Sequence, residues 1–93
     1  MVTELSVIVP SFNPGGIIDK CLKAIDAELK ISSHSYEIIV LDSSPQAPLL
    51  SQLSNLTLYH STARLFASEA RNLGARIAKY STLVFIDADV IIS

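Results

Sequence analysis

Two carboxylates separated by one residue follow an apolar run near the end of the 93-residue chain. Asp87 and Asp89 come directly after residues 82–86, which read as a buried strand. In an extended chain, residues two apart point to the same side, so both carboxylates are placed to bind one divalent cation. Mg²⁺ and Mn²⁺ prefer such oxygen ligands and leave coordination positions for substrate phosphates. The alternative is a plain exit from a strand into a turn, where aspartate is common.

Other polar residues are placed at strand ends, where they can join this pair. Ser11 and Phe12 follow the apolar residues 5–10, and Asp42 follows the apolar residues 36–41. A carboxylate at such a position can accept a hydrogen bond from the imide N–H of uracil or from a ribose hydroxyl. Asp42 is also placed to cap the turn at residues 43–45, and taken alone this second interpretation is favoured.

A pair of polar residues, Arg71 and Asn72, stands in the middle of a helical pattern. Asparagine is a middling helix former, so its central position suggests a hydrogen bond to a neighbouring loop. Arg71 is a candidate to contact a phosphate or to pair with Asp87, and simple exposure to solvent is the alternative for both residues. The glycine fingerprints of dinucleotide sites and of P-loops are absent from the sequence, as is any histidine or cysteine spacing for zinc.

Hydrophobic periodicity places these residues on alternating strands and helices. Strands are predicted at 5–10, 36–41, 56–60 and 82–86, helices at 17–30 and 66–79, and a short helix or a loop at 48–53. This alternation favours an α/β fold with a mostly parallel sheet. The common strand order 3-2-1-4 would place strands 1 and 4 side by side and open a crevice at their carboxyl ends. The polar residues described above would then meet at this edge.

The composition limits the classes of function. A chain of 93 residues is at most one domain, and its net charge of −2 gives no electrostatic case for nucleic acid or an anionic membrane. No run approaches the roughly 18 apolar residues of a membrane span, and no basic segment with an apolar core marks a signal peptide. The single cysteine, Cys21, excludes an internal disulfide and fits a buried thiol in a reducing compartment. We therefore expect a cytoplasmic location.

Four segments of the chain together resemble the family 2 glycosyltransferases of the GT-A fold. They are Ser-Val-Ile-Val-Pro-Ser-Phe-Asn at 6–13, Tyr-Glu-Ile-Ile-Val-Leu-Asp at 36–42, Ala-Arg-Asn-Leu-Gly at 70–74 and Leu-Val-Phe-Ile-Asp-Ala-Asp at 83–89. Each motif is ordinary alone, but together they follow the family's order over nearly the whole chain. The resemblance implies a three-layer, Rossmann-like nucleotide-diphospho-sugar transferase fold.

The resemblance also implies a donor site with a divalent cation. A nucleotide-diphospho-sugar, with a UDP-sugar as the first candidate, would bind at Pro10, Ser11, Phe12, Asn13, Asp42, Arg71 and Asp87. Residues 10–13 would line the nucleotide, Asp42 would contact the base, and Asp87 would lie near the ribose and the metal. The Asp-x-Asp pair, Asp87 and Asp89, would hold Mn²⁺ or Mg²⁺, which would stabilise the leaving diphosphate as a Lewis acid. An acceptor hydroxyl would attack the sugar directly and invert the anomeric centre.

The sequence departs from the family pattern in three places. The second strand ends in Asp-Ser-Ser-Pro at 42–45 rather than Asp-Asp-Gly-Ser, which leaves one carboxylate for the base. Arg64 and Phe66 stand where the family often has Asn-x-Gly, and Arg64 is a candidate for contact with the phosphates. The chain ends at Ser93, before the family's acceptor-binding half with its catalytic base. We therefore expect residues 1–93 to be a single partial domain, the nucleotide-binding half, with negligible transferase activity alone and with apolar surface that favours a homo-oligomer.

Two other classes of function remain open on the sequence. One is a non-catalytic nucleotide- or metal-binding module with the same fold. The other is a receiver-like α/β interaction domain, in which strand-end carboxylates bind Mg²⁺ and Asp42 would accept a phosphoryl group. Residues 10–13 disfavour the receiver-like class, because such sites need acidic residues at that position.

Overall fold

Four strands and two helices form in the computed structural model, which describes residues 4–32 and 35–87. In chain order they are β1 (Glu4–Ser11), α1 (Ile17–Ile31), β2 (Ser35–Asp42), β3 (Leu56–His60), α2 (Ala67–Ile77) and β4 (Thr82–Phe85). The predicted elements are all present, with ends that shift by at most two residues. Residues 48–53 form no helix, so the loop alternative for this segment is correct. Neither helix in the described ranges is long and apolar enough to cross a lipid bilayer.

The described strands form one sheet in the order β3-β2-β1-β4, and every neighbouring pair is parallel. This confirms the strand order predicted from the sequence, with a sheet that is parallel throughout this part of the chain. The chain leaves β1 toward β2 on one side and returns to pair with β1 through β4 on the other side. The loops after β1 and β4 therefore open from adjacent strand ends, where open α/β sheets have their ligand crevice.

A helix covers each face of the sheet, which gives the three layers that the resemblance implies. Successive residues of β1 point to opposite faces, so Val7 and Val9 face α1 while Ile8 faces α2. Because both faces are covered, β1 and β2 are apolar at nearly every central position. The core under α1 contains Val7, Val9, Ile18, Cys21, Leu22, Ile25, Tyr36, Ile38 and Val40, and the core under α2 contains Ile8, Ile39, Leu41 and Ala70.

Gly74 allows α2 to pack close to the sheet. A Cβ atom at this position would lie 2.5 Å from Ile8 Cγ2 and 3.1 Å from Leu41 Cδ2, so only a residue without a side chain fits. At its start, the helix is stabilised by Glu69, whose carboxylate accepts the backbone N–H of Phe66 at 3.0 Å. These contacts fix the height of α2 above β1 and β2.

Polar contacts at the amino edge of the sheet fix the connection from α2 to β4. The hydroxyl of the buried Ser6 donates to Glu37 at 2.6 Å and accepts the backbone N–H of Tyr80 at 3.0 Å. The backbone N–H of Lys79 donates to the same Glu37 carboxylate. These bonds set the start of β4, and hence the point at which Asp87 leaves the sheet.

Candidate functional site

A cleft of about 460 Å³ opens at the carboxyl edge of the sheet, between the loop after β1 and the loop before α2. The strand order brings residues 10–13 together with Asp87, which follows β4, as the sequence predicts. Two other predicted site residues, Asp42 and Arg71, are not among the residues that line it. The lining residues are Pro10, Ser11, Phe12, Asn13, Pro14, Ile17, Arg64, Leu65, Ala67 and Asp87.

Asp42, at the end of β2, directs its carboxylate into the protein rather than into the cleft. The side chain is fully buried, and it accepts hydrogen bonds from the Ser11 hydroxyl at 2.9 Å, the Ser44 hydroxyl at 2.7 Å and the Ser44 backbone N–H at 3.0 Å. Hydrogen bonds of this kind are what makes a buried carboxylate tolerable. The cap on the turn at residues 43–45 is therefore confirmed. Contact between Asp42 and a base stays a prediction, and it would require these hydrogen bonds to be exchanged.

The two buried serines after Asp42 connect the loops that form the cleft. The Asn13 backbone N–H donates to the Ser44 hydroxyl at 2.7 Å, which joins the loop after β1 to the loop after β2. The Leu65 backbone N–H donates to the Ser43 hydroxyl at 2.9 Å, which adds the loop before α2. On the sequence these serines indicate only a turn. The signal for their role in connecting the loops is their position, because they follow a strand that ends beside β1.

His60, at the end of β3, is a further member of this network. Its Nε2 lies 2.8 Å from the Ser44 carbonyl oxygen and 3.5 Å from Asp42 Oδ2. With a proton on Nε2, the imidazole donates to that carbonyl. The sequence leaves His60 isolated, because no histidine or cysteine stands at ligand spacing from it. The parallel pairing of β2 with β3 places it directly beside Asp42.

The loop after β1 contains two residues with a left-handed backbone, Asn13 with φ of 46° and Gly15 with φ of 64°. Asparagine adopts this conformation more readily than most residues other than glycine. The reversal directs the Asn13 backbone N–H to Ser44 and turns the chain toward the start of α1. Sparsely populated backbone conformations that surrounding contacts hold in place are frequent at ligand sites.

Arg71 Nη2 lies 3.2 Å from Asp87 Oδ1, which confirms the predicted pairing of these two residues. Their side chains are 41% and 61% exposed, so the pair contributes little to stability and opens easily.

Asp89, the second residue of the predicted metal pair, lies outside the described residues. Within 4–32 and 35–87, no three or more His, Cys, Asp or Glu side chains form a cation site. One exposed carboxylate beside a cleft still fits Mg²⁺, which binds one or two carboxylates and takes its other ligands from phosphates and water.

Arg64 lies at the mouth of the cleft between two aromatic rings. Its guanidinium carbon is 3.5 Å from the ring centroid of Phe12 and 5.1 Å from that of Phe66. Both rings are substantially exposed, and the stacked cation covers part of their surface. The sequence marks Arg64 as a candidate for phosphate contact, but the aromatic partners become apparent only in the fold.

Comparison with known proteins gives two matches. The family model described as "Glycosyl transferase family 2" matches residues 6–93. A protein of Haemophilus influenzae, described as an uncharacterized glycosyltransferase, is 30% identical over 88 residues, which cover 91% of this chain and 29% of that protein. The chain therefore spans less than a third of the length of this relative.

Proposed function

Because the chain belongs to glycosyl transferase family 2, we propose that its cleft binds the nucleotide-diphospho-sugar donor of a glycosyl transfer reaction. A UDP-sugar is the first candidate. The observation that carries the proposal is the convergence of residues 10–13 and Asp87 on one cleft at the carboxyl edge of a parallel sheet. The volume of about 460 Å³ suits a small-molecule ligand.

In this proposal, residues 10–13 line the nucleotide, with the part of the Phe12 ring that Arg64 does not cover as a surface for the base. Asp42 contributes from behind the cleft, because it holds Ser11 and Ser44 in place through hydrogen bonds. Direct contact between Asp42 and the base is the alternative role. Arg71 would contact the phosphates once its exposed pair with Asp87 opens.

We propose that Asp87, together with Asp89, holds the divalent cation, Mn²⁺ or Mg²⁺. The Asp87 carboxylate is exposed at the cleft and its partner Arg71 is exposed too, so the protein can free this ligand at little cost. When bound, such a cation supplies Lewis-acid stabilisation of the leaving diphosphate.

The transfer itself is proposed for a protein of the length of the relative, of which this chain spans 29%. There, an acceptor hydroxyl would attack the anomeric carbon of the donor sugar while a base of that longer protein takes its proton. The bond from that carbon to the diphosphate oxygen would break, and the configuration would invert. We expect the 93-residue chain alone to bind the donor without transferring the sugar.

The cytoplasmic location also stays a proposal, which rests on the single buried Cys21.

Two observations count against the receiver-like alternative. Receiver-like sheets have the order 2-1-3-4-5, whereas β1 here lies between β2 and β4. The Asp42 carboxylate, which would accept the phosphoryl group, is fully buried. A non-catalytic binding module would use the same cleft, and binding of UDP with Mn²⁺ but without turnover in the longer protein would favour it.

Calorimetric titration of UDP into the purified chain, with and without Mn²⁺, tests the proposal. We expect binding that strengthens with Mn²⁺, and loss of the Mn²⁺-dependent part in Asp87→Ala and in Asp89→Ala. Glu28→Ala removes an exposed carboxylate on α1, outside the cleft, and should bind like the wild type. No UDP binding under either condition would overturn the proposal, and binding without any response to Mn²⁺ would remove the cation from it.

A further inference from the structure

Arg64 carries a positive charge that no acidic side chain pairs with in the part of the chain that the structure describes. All ion pairs there involve other side chains. The hydrogen bond from its Nε to the Leu65 carbonyl oxygen is long, at 3.4 Å. Its guanidinium nevertheless has a defined place, over the Phe12 ring and beside the Phe66 ring. The aromatic contacts, rather than a salt bridge, hold this cation at the cleft.

The chain around Arg64 is fixed by the residue that follows it. The Leu65 backbone N–H donates to Ser43, and the Leu65 side chain packs against the core under α2. Leu65 is therefore directed inward, and the residues on either side of it, Arg64 and Phe66, are exposed. This alternation presents Arg64 at the mouth of the cleft, with its guanidinium over Phe12 of the opposite loop and near the exposed ring of Phe66.

A guanidinium stacked on an aromatic ring still has hydrogen-bonding capacity. The ring contacts the flat face of the group, and the N–H donors lie in the plane of the guanidinium, away from the ring. These donors form a fork that matches two oxygens of a phosphate group. Because the stack already orders a long side chain, less conformational entropy is lost when an anion binds.

The charge of the cleft also favours an anion. Among the ten lining residues, the one carboxylate belongs to Asp87, and Arg71 neutralises it from outside the lining set. Counted over the described residues, the cleft therefore has an excess of positive charge, although the whole chain has a net charge of −2. A local positive potential in a cleft concentrates anionic ligands.

We propose that Arg64 binds the diphosphate of the donor, and that Phe12 and Phe66 are positioning residues that hold its guanidinium for this contact. The inference rests on the proposed function and adds to it a residue that determines specificity. It requires the cleft to prefer a nucleoside diphosphate over the nucleoside by a contact that does not depend on a metal.

Titration of three probes into the intact chain in the presence of EDTA tests the contact: UDP, uridine and inorganic pyrophosphate. Arg64→Gln should weaken the binding of UDP and of pyrophosphate by roughly 10- to 100-fold, which is the loss typical of a hydrogen bond to a charged group. The affinity for uridine should change by less than about twofold. Arg64→Lys keeps the charge but lacks the forked donors. Its affinities for UDP and pyrophosphate should therefore lie between those of the wild type and those of Arg64→Gln. Arg76→Gln makes the same charge change on an exposed site of α2 outside the cleft and should bind as the wild type does.

The aromatic stack has its own test. Phe66→Ala should weaken UDP and pyrophosphate by roughly two- to fivefold, as expected for the loss of an exposed cation–π contact. Phe66→Tyr retains the ring and should restore the wild-type affinity. The rescue separates positioning of Arg64 from a general loss of structure, which circular dichroism of each variant checks independently.

The outcomes distinguish this inference from the proposed function. UDP affinity that is equal in the wild type and in Arg64→Gln would overturn the role of Arg64 and leave the donor site in place. Pyrophosphate binding that depends on Arg64, without any selectivity for UDP, would support the anion contact and overturn the nucleotide proposal. No binding of UDP or pyrophosphate to the wild type in EDTA would overturn the role of Arg64, and the donor site would be overturned as well only if UDP also failed to bind with Mn²⁺.

Discussion

Asp42 shapes the cleft from inside the protein. Through Ser11 its carboxylate is bonded to the end of β1, and through Ser44 to the turn that holds the Asn13 backbone. A buried carboxylate is tolerated only while its oxygens accept hydrogen bonds. The carboxylate therefore holds the loops that supply the donors, and these loops in turn hold the carboxylate. The position of the loop after β1 therefore depends on a side chain that does not itself line the cleft.

We expect Asp42→Asn to lower the free energy of unfolding by about 1–3 kcal/mol, because an amide nitrogen replaces one charged acceptor in a buried, fully bonded site. Urea unfolding monitored by circular dichroism measures this loss. Glu28→Gln makes the same chemical change on the exposed side of α1 and should leave stability unchanged. If Asp42→Asn kept its stability but lost affinity for UDP, the residue would instead contact the base.

Tyr36 is a second buried polar group, on the opposite face of the sheet from α2. Its hydroxyl donates to Asp26, which also pairs with Lys30 at 3.1 Å. Burial, followed by the hydrogen bond to the Asp26 carboxylate, raises the pKa of Tyr36 to about 12 from its ordinary value of 10.0. The folded protein therefore holds this proton more tightly than the unfolded chain does.

The raised pKa predicts how stability changes in alkali. The contribution of the Tyr36 hydroxyl is fully present below pH 10 and is lost as the pH rises through about 12, because the unfolded chain releases the proton first. We expect the wild type and Tyr36→Phe to differ less in their free energy of unfolding as the pH rises from 9 to 12. Urea unfolding over this pH range measures that difference. Tyr59→Phe, which removes the hydroxyl of an exposed tyrosine on β3, is the control for loss of a phenol hydroxyl. If the difference in the free energy of unfolding between the wild type and Tyr36→Phe stayed constant over this range, the link between the raised pKa and stability would be refuted.

The fit of α2 on the sheet depends on Gly74. Gly74→Ala improves helix propensity by about 1 kcal/mol, but the new methyl group meets Ile8 Cγ2 at 2.5 Å. Overpacking of a tight core typically costs about 1–3 kcal/mol, so we expect a net loss of stability in urea unfolding. Gly16→Ala is the matched control, because its backbone φ of −73° suits alanine and nothing lies within 4 Å of the new atom. Gly74→Ala at wild-type stability would show that α2 can shift.

The irregular segment between β2 and β3 is held by a contact with α1. The Ser51 backbone N–H and hydroxyl donate to Asp19 at 2.7 Å and 2.8 Å, and Leu50 and Leu53 pack on the core under α1. The backbone bond, with help from the hydroxyl, lowers the pKa of Asp19 below its ordinary value of 3.8.

Protonation of Asp19 should release this segment. Because the pKa is lowered in the fold, the contact stabilises the protein above about pH 4 and loses this effect as the pH falls through the folded value. We expect Ser51→Ala to raise the pKa of Asp19 in an NMR titration, whereas Ser54→Ala, at an exposed position nearby, should not. An identical Asp19 titration in the wild type and Ser51→Ala would contradict the part assigned to the hydroxyl, because the variant keeps the Ser51 backbone N–H.

Local pattern was sufficient to predict most elements, because their apolar positions repeat at strand or helix spacing. The helix predicted at 17–30 is α1, and Ile18, Cys21, Leu22 and Ile25 recur at helical spacing on its buried side. Residues 48–53 left two alternatives, because the partner that fixes them is Asp19, 32 residues away from Ser51. A local pattern carries no information about a contact of that separation.

In the candidate site too, the sequence pattern predicted which strand ends meet, but not how individual side chains are directed. Strand order and strand ends, both readable from the sequence, predicted that residues 10–13 and Asp87 meet. The direction of the Asp42 side chain depends on donors from other loops, and the place of Arg64 depends on the Phe12 ring from the far side of the cleft. Such features are set by tertiary contacts between polar and aromatic side chains, which periodicity does not encode.

The β4 edge of the described sheet is where we expect the predicted self-association to occur. β4 pairs only with β1 among the described residues, and the Phe85 side chain is 47% exposed on it. The opposite edge strand, β3, is flanked by the segment that carries Leu50 and Leu53, which packs beside it on the α1 face. An open edge with apolar side chains is a template for pairing with a second copy, and a charged side chain on that edge prevents it.

We therefore expect a dimer or a larger oligomer of the chain in light scattering at high concentration, and a shift to monomer in Phe85→Lys. Tyr59→Lys is the matched control, because Tyr59 is an aromatic residue of nearly equal exposure, 46%, on the opposite edge strand. It should leave the oligomer intact. Dissociation by both substitutions would indicate general hydrophobic association rather than pairing at β4. A wild-type monomer across the concentration series would show that the exposed side chains of β4 are not sufficient for association.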